Sequence, residues 1–411
     1  MPRIPRAVKR PWWPLWLAGL PLAAAAQAPA TANPDEFARC LAGIQADAQR
    51  EGVSKATFER ALDGVRPELS LLELLDNQPE FRTPIWDYLA SLVDEERVQD
   101  GRAMLAQWAG PLAEIERRFG VDSATVVAVW GVESNFGRNL GRRQIIPSVA
   151  TLACHGRRQS FFRGELVAAL KIVQRGDVAP EQMLGSWAGA FGQTQFMPST
   201  YLRLAVDFDG DGRRDLVNNV PDALASTANF LDKGGWRTGQ PWGFEVRLPE
   251  GFDAAGTGRR NKATLAEWQS RGVRRLDGSA LANGRVPSEG VALLLPAGPK
   301  GPAFVVYRNF DVVFGYNAAE SYALAITHLA DRLRGGGPFN TPWPTDDAGL
   351  SRAERRELQT LLLARGHAIG EADGVLGTVS RAAIRAEQQR LGWAPDGRAG
   401  QKLLARLRSG G

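Results

Sequence analysis

A single glutamate at the end of an apolar run has the sequence surroundings of a general acid. Residues 126–132 read Val-Val-Ala-Val-Trp-Gly-Val, and Glu133 is followed at once by Ser-Asn-Phe-Gly. Apolar surroundings disfavour the ionised form of a carboxyl group, which raises its pKa toward neutrality and lets it deliver a proton. The same pattern is also typical of a buried helix with a polar end. Glu133 is therefore a candidate catalytic residue, with a purely structural helix end as the alternative.

A second group of carboxylates has the spacing of a calcium loop. Three aspartates occupy alternate positions in residues 207–211, and Gly212 follows, as at positions 1, 3, 5 and 6 of an EF-hand loop. Such closely spaced aspartates repel one another without a cation, which favours a metal site over an acidic surface turn. Position 12 is Asn218 instead of glutamate, so a further carboxylate must complete the site. The predicted calcium ligands are Asp207, Asp209, Asp211, the carbonyl of Arg213, and Asp222.

Two further segments combine polar and aromatic side chains. Residues 189–200 form a loop-like stretch with two glutamines, and Tyr316-Asn317 is followed by Tyr322. Glutamine can both donate and accept hydrogen bonds, as the neutral polar groups of a sugar require. Taken alone, however, the first segment is better explained as a structural loop, and the second as buried tyrosines that find a partner in the core.

The charge of the chain is unevenly distributed along its 411 residues. The net charge is +5, but residues 1–26 contribute +4 and residues 350–411 contribute +5, which leaves −4 for residues 27–349. A nucleic-acid-binding body is expected to present a basic patch or stripe. The acidic middle region therefore argues against nucleic acid as a partner, and the length predicts two or three domains.

The N-terminus has the composition of a cleavable export signal. A basic stretch ends at Arg10, and an apolar run from Trp12 to Ala26 ends in small residues suited to cleavage. We predict a signal peptide over residues 1–26 and no membrane span after its removal; an uncleaved anchor is the alternative. Cys40 and Cys154 allow a disulfide in an exported protein but are also compatible with two buried thiols.

The elements that must position these residues are mostly helical. Apolar residues at helical spacing predict helices within residues 34–120, 121–136, 161–175 and 318–333, and within the tail at 351–365, 378–391 and 400–407. Alternating or short apolar runs predict a strand-rich insertion at about 240–315. Gly- and Pro-rich sequence predicts a linker over residues 339–349, a boundary that few contacts cross.

Together, these motifs occur in the order seen in the lytic murein transglycosylases of the B type, glycoside hydrolase family 103, which residues 34–338 resemble. Residues 350–408, with Asp-Gly-Val-Leu-Gly at 373–377, resemble the three-helix peptidoglycan-binding module that often follows such enzymes. The resemblance implies a mainly α (α+β) protein: a lysozyme-like helical core, a helical subdomain and a small β insertion, plus the C-terminal module. It also implies a periplasmic enzyme that binds peptidoglycan glycan strands.

The resemblance implies a reaction as well. The β-1,4 bond between N-acetylmuramic acid and N-acetylglucosamine would be cleaved with formation of a 1,6-anhydromuramyl product, Glu133 acting first as acid and then as base. Calcium would be a structural cofactor. The residues implied in saccharide binding or site support are Ser186, Gln195, Arg157, Arg158, Tyr316, Asn317 and Tyr322.

Two other functions remain open from the residues alone. A lysozyme-type hydrolase would need a second carboxylate, for which Asp311 and Glu165 are poor candidates. A non-catalytic wall-binding protein would need none. One departure from the family pattern is Phe230, which stands where a tyrosine is expected in the cleft.

Overall fold

The computed structural model describes residues 34–76, 83–281 and 290–410. The predicted signal peptide lies outside this part of the chain. None of the helices that the structure describes has the length and apolar composition needed to cross a membrane. Within the described residues there are seventeen α-helices and seven short strands, which agrees with the predicted mainly α fold.

The helices are, in chain order, α1 Pro34–Arg50, α2 Lys55–Leu62, α3 Ser70–Asp76, α4 Ile85–Leu92, α5 Glu95–Gln107, α6 Ala109–Phe119, α7 Ser123–Ser134, α8 Ile145–Cys154, α9 Gln159–Arg175, α10 Pro198–Leu204, α11 Val220–Lys233, α12 Leu265–Ser270, α13 Arg308–Asn317, α14 Glu320–Leu333, α15 Arg352–Ala364, α16 Thr378–Arg390 and α17 Gln401–Arg408. The strands are β1 Arg143–Gln144, β2 Leu184–Gly185, β3 Gly243–Arg247, β4 Lys262–Ala263, β5 Arg274–Arg275, β6 Val291–Leu294 and β7 Ala303–Val306.

Helix α7 lies in the middle of the first hydrophobic core. Its residues 124–131 are all buried, as expected for a helix that protein surrounds on every side. The Asp122 side chain caps its first turn by accepting the Thr125 N–H, and the helix ends at Asn135 in a left-handed conformation. Helices α5, α6, α11 and α14 pack around it. The position of the C-terminal end of α7 is therefore fixed from several directions.

A second core joins the N-terminal helices to α8, α9 and α10. Cys40 of α1 and Cys154 at the end of α8 form a disulfide that closes a loop of 114 residues. The structure thus resolves the two possibilities that the sequence left open for these cysteines, in favour of the bridge.

Strands β3–β7 form an antiparallel sheet in the order β4-β6-β7-β3-β5. Its residues alternate between two cores: Phe304 and Val306 face the first core, whereas Ala303 and Val305 face a smaller core under the sheet. The strand-rich insertion is therefore present, but its strands end at Val306. The last part of the predicted range, up to 315, is instead helix α13, because its apolar residues pack at helical spacing into the first core.

The C-terminal module has its own core, formed by α15, α16 and α17. A capping box starts α15: the Ser351 hydroxyl accepts the Glu354 N–H, and the Glu354 carboxylate accepts the Ser351 N–H. The three helices lie where the sequence predicts them.

The segment predicted as a linker packs on the preceding domain. The ring of Phe339 stacks on His328 at 3.8 Å between centroids. The Glu245 carboxylate accepts the N–H groups of Asn340 and Thr341 at 2.8 and 2.7 Å. Aromatic and hydrogen-bonding residues thus hold the segment against the preceding domain despite its Pro/Gly composition, and its assignment as a linker stays a prediction.

Candidate active site

Glu133 lies one residue before the end of α7, where the apolar core meets the surface. The residue is partly covered, and its carboxyl group is densely surrounded by protein. This burial raises the pKa of Glu133 from 4.5 to about 7, and a hydrogen bond from Tyr322 opposes the rise. A carboxyl group with a pKa near 7 is protonated often enough to act as an acid and is basic enough to take a proton back.

Two tyrosines from neighbouring helices surround this carboxyl group. The Tyr322 hydroxyl, on α14, donates to Oε1 of Glu133. The Tyr316 hydroxyl, at the end of α13, donates to the Thr194 carbonyl at 2.8 Å, and the two tyrosine rings lie 6.2 Å apart. Burial and the nearby Glu133 raise the pKa of both tyrosines well above 10. Both hydroxyls therefore remain protonated and act as donors.

Gln193 connects the Glu133 helix to the polar loop at 189–200, and the sequence did not single it out from that loop. Its Oε1 accepts from Nε1 of Trp130 at 2.9 Å, and its Nε2 donates to the Val217 carbonyl at 2.9 Å. Its own carbonyl accepts from the Ser134 hydroxyl at 2.5 Å. A Cβ on Gly137 would lie 2.2 Å from Oε1 of Gln193, so only glycine fits there. Trp130 and Ser134, which lie before and after Glu133 in the sequence, thus both hydrogen-bond to the buried Gln193.

Ser186 and Gln195 shape the same loop. The Ser186 hydroxyl accepts the Ala190 N–H at 3.1 Å. Nε2 of Gln195 donates to the carbonyls of Leu140 and Gly192 at 3.1 and 3.0 Å. Both side chains hydrogen-bond the backbone of this loop or of the neighbouring residue 140, and their predicted role in saccharide binding or site support stays a prediction.

Phe230 packs against Tyr316, one of the two tyrosines beside Glu133. Its ring lies 4.6 Å from that of Tyr316 and 6.0 Å from that of Phe196. It therefore supplies packing but no hydroxyl. Asn317 is exposed at the end of α13, next to Tyr316 in sequence.

Arg157 and Arg158 lie in the exposed turn between α8 and α9. The Arg157 guanidinium donates to the Leu75 carbonyl, and the Arg158 guanidinium lies 4.4 Å from the Phe161 ring centroid. Leu75 belongs to the second core, whereas Phe161 is exposed, and a role of this arginine pair in saccharide binding stays a prediction.

The two candidates for a second carboxylate are both engaged elsewhere. The Glu165 carboxylate accepts the Ser199 N–H and hydroxyl at 2.9 and 2.7 Å. Asp311 forms ion pairs with Arg259 and Lys262 at 3.1 and 2.7 Å. Within the described residues, burial and Tyr322 account for the shifted pKa of Glu133, and no second carboxylate contributes to it.

The predicted calcium loop brings three carboxylates together. Oxygens of Asp207, Asp209 and Asp211 lie within 4.8 Å of one another. The N–H groups of Gly210 and Gly212 donate to Asp207 at 2.7 and 2.9 Å, and both glycines have left-handed backbone conformations. An all-oxygen donor set on a tight loop suits a hard cation such as calcium.

The fourth predicted carboxylate ligand does a different job in this structure. Asp222 is fully buried, and its two oxygens accept the N–H groups of Phe208 and Asp215, each at 2.8 Å. Burial raises the pKa of Asp222 to about 6. Asp222 is not part of the group whose oxygens lie within 4.8 Å of one another, but Asp207 and Asp209 are close enough to raise its pKa further. Its role as a calcium ligand therefore stays a prediction. The N–H of Arg213 donates to Asp211 at 2.8 Å, and a ligand role for its carbonyl stays a prediction.

Comparison with known proteins gives two regions of similarity. Residues 36–331 match the family described as "Transglycosylase SLT domain", and residues 351–407 match "Putative peptidoglycan binding domain". Over 299 residues the chain is 30% identical to membrane-bound lytic murein transglycosylase B of Escherichia coli strain K12, which covers 69% of this chain and 79% of that relative.

Solved structures extend the similarity to nearly the whole chain. SltB3 from Pseudomonas aeruginosa in complex with NAG-anhNAM-pentapeptide is 49% identical, covers 90% of this chain and 99% of its own, and has a TM-score of 0.71. The Escherichia coli lytic transglycosylase Slt35 in complex with calcium is 26% identical over 74% of this chain and 93% of its own, with a TM-score of 0.63. The chain therefore belongs to the family of the transglycosylase SLT domain, the lytic transglycosylases.

Proposed function

We propose that this lytic transglycosylase cleaves the β-1,4 bond between N-acetylmuramic acid and N-acetylglucosamine in peptidoglycan, with Glu133 as the only acid/base. The observation that carries the proposal is the carboxyl group of Glu133 at the end of α7, bonded by the Tyr322 hydroxyl, with a pKa that burial raises to about 7. The two other candidate carboxylates, Glu165 and Asp311, are bonded to other groups. A hydrolase of the lysozyme type normally uses two carboxylates.

The reaction then needs one group in two roles. Protonated Glu133 donates its proton to the oxygen between C1 of the muramyl sugar and C4 of N-acetylglucosamine, and the C1–O bond breaks. The Glu133 carboxylate next removes the proton from the C6 hydroxyl of the same muramyl sugar, and O6 forms a bond to C1. The proton is back on Glu133 and no water is consumed. Attack from within the same sugar gains from its high effective molarity.

Tyr322 supports both states of this carboxyl group. Since the pKa of Tyr322 lies well above 10, its hydroxyl keeps its proton while Glu133 loses one. The hydrogen bond to Oε1 of Glu133 therefore stabilises the carboxylate after the first transfer and fixes its orientation for the second.

Similarity to ligand-bound relatives supports this substrate. SltB3, 49% identical to this chain, is known in complexes with NAG-anhNAM-pentapeptide and NAG-NAM-pentapeptide. We assign the polar loop with Ser186 and Gln195, and the tyrosines with Asn317, to glycan binding on this basis. Arg157 and Arg158 belong to the same proposal, since an exposed basic pair suits the carboxylates of peptidoglycan.

The C-terminal module is assigned to peptidoglycan binding through the turn at residues 373–377. Nε2 of Gln359 donates to Asp373 at 3.1 Å, and Oε1 of Gln359 accepts the Gly374 N–H at 2.6 Å. Val375, in this turn, and Val379, on the following helix, are 58% and 57% exposed. Such exposed apolar side chains beside a rigid polar turn suit the apolar face of a sugar ring.

The proposal also includes calcium and a cell-envelope location. Asp207, Asp209 and Asp211 would hold the ion, with the Arg213 carbonyl and Asp222 as further ligands. The ion would be a structural one that braces the loop near Gln195, and a relative is known in complex with calcium. The substrate class and the Cys40–Cys154 disulfide are those of an exported protein, which supports the periplasm and removal of residues 1–26.

Mass spectrometry of the products released from purified peptidoglycan tests the reaction. The wild-type protein is expected to release 1,6-anhydromuramyl ends, and Glu133→Gln to release none while remaining folded. Free reducing ends would instead identify a hydrolase. No product from the wild-type protein, with binding to peptidoglycan intact, would identify a non-catalytic wall-binding protein.

A further inference from the structure

Arg352, the first residue of α15, joins the C-terminal module to the domain that carries Glu133. Its side chain is only 10% exposed. Its backbone N–H donates to Asp94 at 3.0 Å, and its guanidinium donates to Oδ1 of Asn135 at 2.5 Å and to Asp100 at 3.4 Å. One arginine therefore hydrogen-bonds three residues of the other domain and forms an ion pair with a fourth, Glu96, at 3.5 Å.

One of these partners follows Glu133 by two residues. Asn135 ends α7, and both Asn135 and Phe136 have left-handed backbone conformations, with φ of 52° and 58°. The loop is held at a second point, because Arg138 forms an ion pair with Asp100, the same carboxylate that Arg352 contacts. The loop that ends the Glu133 helix thus rests on a charged network that Arg352 completes.

Arg352 also contacts the turn assigned above to peptidoglycan binding. A Cβ on Gly374 would lie 3.1 Å from both Cγ and the carbonyl oxygen of Arg352. The backbone of this turn consequently packs directly on the arginine. A continuous set of contacts therefore leads from the turn at residues 373–377, through Arg352, to Asn135, two residues after Glu133.

The second Asp-Gly turn of the module provides a comparison within the same chain. There, Gln388 bonds Asp396 and the Gly397 N–H as Gln359 does in the first turn. The following residue, Arg398, forms ion pairs with Asp87 and with Asp347. Arg398 also docks the module, but none of its described contacts is with the loop after Glu133.

We propose that Arg352 is a positioning residue for Glu133, so that the docked C-terminal module completes the active site as well as binding the wall. The planar guanidinium can hold Asn135 and Asp100 at once in a fixed geometry, which an ammonium group cannot do. Acid/base transfer depends on sub-ångström placement, and the loop after Glu133 fixes the end of its helix. This inference rests on the proposed role of Glu133.

Steady-state kinetics on a soluble tetrasaccharide of alternating N-acetylglucosamine and N-acetylmuramic acid provides the test. Arg352→Met keeps the apolar stem against Gly374 and removes the fork, and Arg352→Lys keeps the charge. We expect Arg352→Met to lower kcat about tenfold, as a displaced catalytic group does, with KM changed less than about twofold. Arg352→Lys should recover part of the loss. Arg398→Met is the matched control, which should lower the Tm but keep kcat within about twofold.

The pH profile separates positioning from a merely structural effect. A loosened loop admits water to Glu133 and brings its pKa down toward the ordinary value. Because Glu133 must be protonated for the first step, the basic limb of kcat/KM should move to lower pH in Arg352→Met and stay in place in Arg398→Met.

Three outcomes would overturn the inference. The first is an unchanged kcat and an unchanged basic limb in Arg352→Met, and the second is an equal loss of kcat in Arg398→Met. The third applies if Arg352→Met fails to fold: it is a wild-type kcat and pH profile in Arg352→Lys. Glu133→Gln, run in the same assay, keeps the two proposals apart. An active Glu133→Gln removes the proposed role of Glu133, whereas an inactive one beside an unaffected Arg352 variant refutes the positioning role alone.

Discussion

Replacing Glu133 by glutamine is expected to make the protein more stable at neutral and alkaline pH while it abolishes catalysis. Burial raises the pKa of Glu133 from 4.5 to about 7 in the folded protein. A carboxyl group with a raised pKa favours the folded state below its unfolded pKa, and this contribution is lost as the pH rises through the folded pKa. Above about pH 7 the wild-type protein therefore carries a buried negative charge that Glu133→Gln does not.

The size of the effect follows from the two pKa values. One pKa unit corresponds to about 1.4 kcal/mol, so the change from 4.5 to about 7 corresponds to about 3 kcal/mol. Nearly all of this difference develops between pH 4 and pH 8, because each state changes its protonation near its own pKa. Partial contact of Glu133 with solvent makes about 3 kcal/mol an upper figure.

Urea unfolding of both proteins at a series of pH values, followed by tryptophan fluorescence, measures this difference. The free energy of unfolding of Glu133→Gln should rise relative to wild type by about 2–3 kcal/mol from pH 4 to pH 8. Asp311→Asn is a control, since it removes an ion-paired carboxylate elsewhere. A difference that stays within about 0.5 kcal/mol over this range would refute the raised pKa and, with it, the argument that Glu133 is poised as an acid.

Four other outcomes are expected. Tyr322→Phe removes a hydrogen bond that lowers the pKa of Glu133. The basic limb of the kcat/KM profile should therefore move to higher pH, and kcat should fall about tenfold. A basic limb at the wild-type pH would contradict this. Calcium should raise the Tm of the wild-type protein by mass action and leave that of Asp209→Ala unchanged, and a chelator should reverse the rise; equal responses would leave the loop an acidic turn. Cys40→Ser should lower the free energy of unfolding, measured in urea, by about 2–5 kcal/mol, and reduction of the wild-type protein should have the same effect. A smaller decrease would show that the disulfide contributes little to stability. Deleting residues 346–411 should lower both the Tm and kcat on the soluble tetrasaccharide, because it exposes the charged network that Arg352 completes; a fully active, equally stable truncation would contradict the docking argument.

Local features of the sequence predicted most of the helices and the centre of the site. The apolar run that ends at Glu133 is helix α7, because a helix buried on all sides needs no polar face. The three aspartates at alternate positions in residues 207–211 lie close together, since the loop geometry depends only on neighbouring residues and two glycines. The resemblance to a known family added Tyr322, which hydrogen-bonds Glu133 across 189 residues of sequence.

Other parts of the site depend on packing that no local pattern encodes. Gln193 belongs to a segment with two glutamines, and only burial between Trp130 and Val217 shows which of the two links the loop to the Glu133 helix. Asp222 is a predicted calcium ligand, and the two backbone N–H groups that its buried carboxylate accepts were not evident from the sequence. In both cases the side-chain chemistry was evident from the sequence, whereas its partner was not.

The net charge of the C-terminal module does not reveal, in the sequence, that the module docks on the preceding domain. Residues 350–411 carry a net charge of +5, whereas residues 27–349 carry −4, which in the sequence argues only against nucleic acid as a partner. Opposite charges on the two parts meet in the structure: Arg352, Arg356 and Arg398 form ion pairs with carboxylates of α5 and α4, namely Asp100, Glu96 and Asp87. The pairs of Arg352 and Arg398 are mostly buried, and such pairs are costly to break because a partner would be left buried and unpaired. Part of the positive charge therefore serves docking, and the binding of peptidoglycan by the module should depend less on salt than its net charge implies.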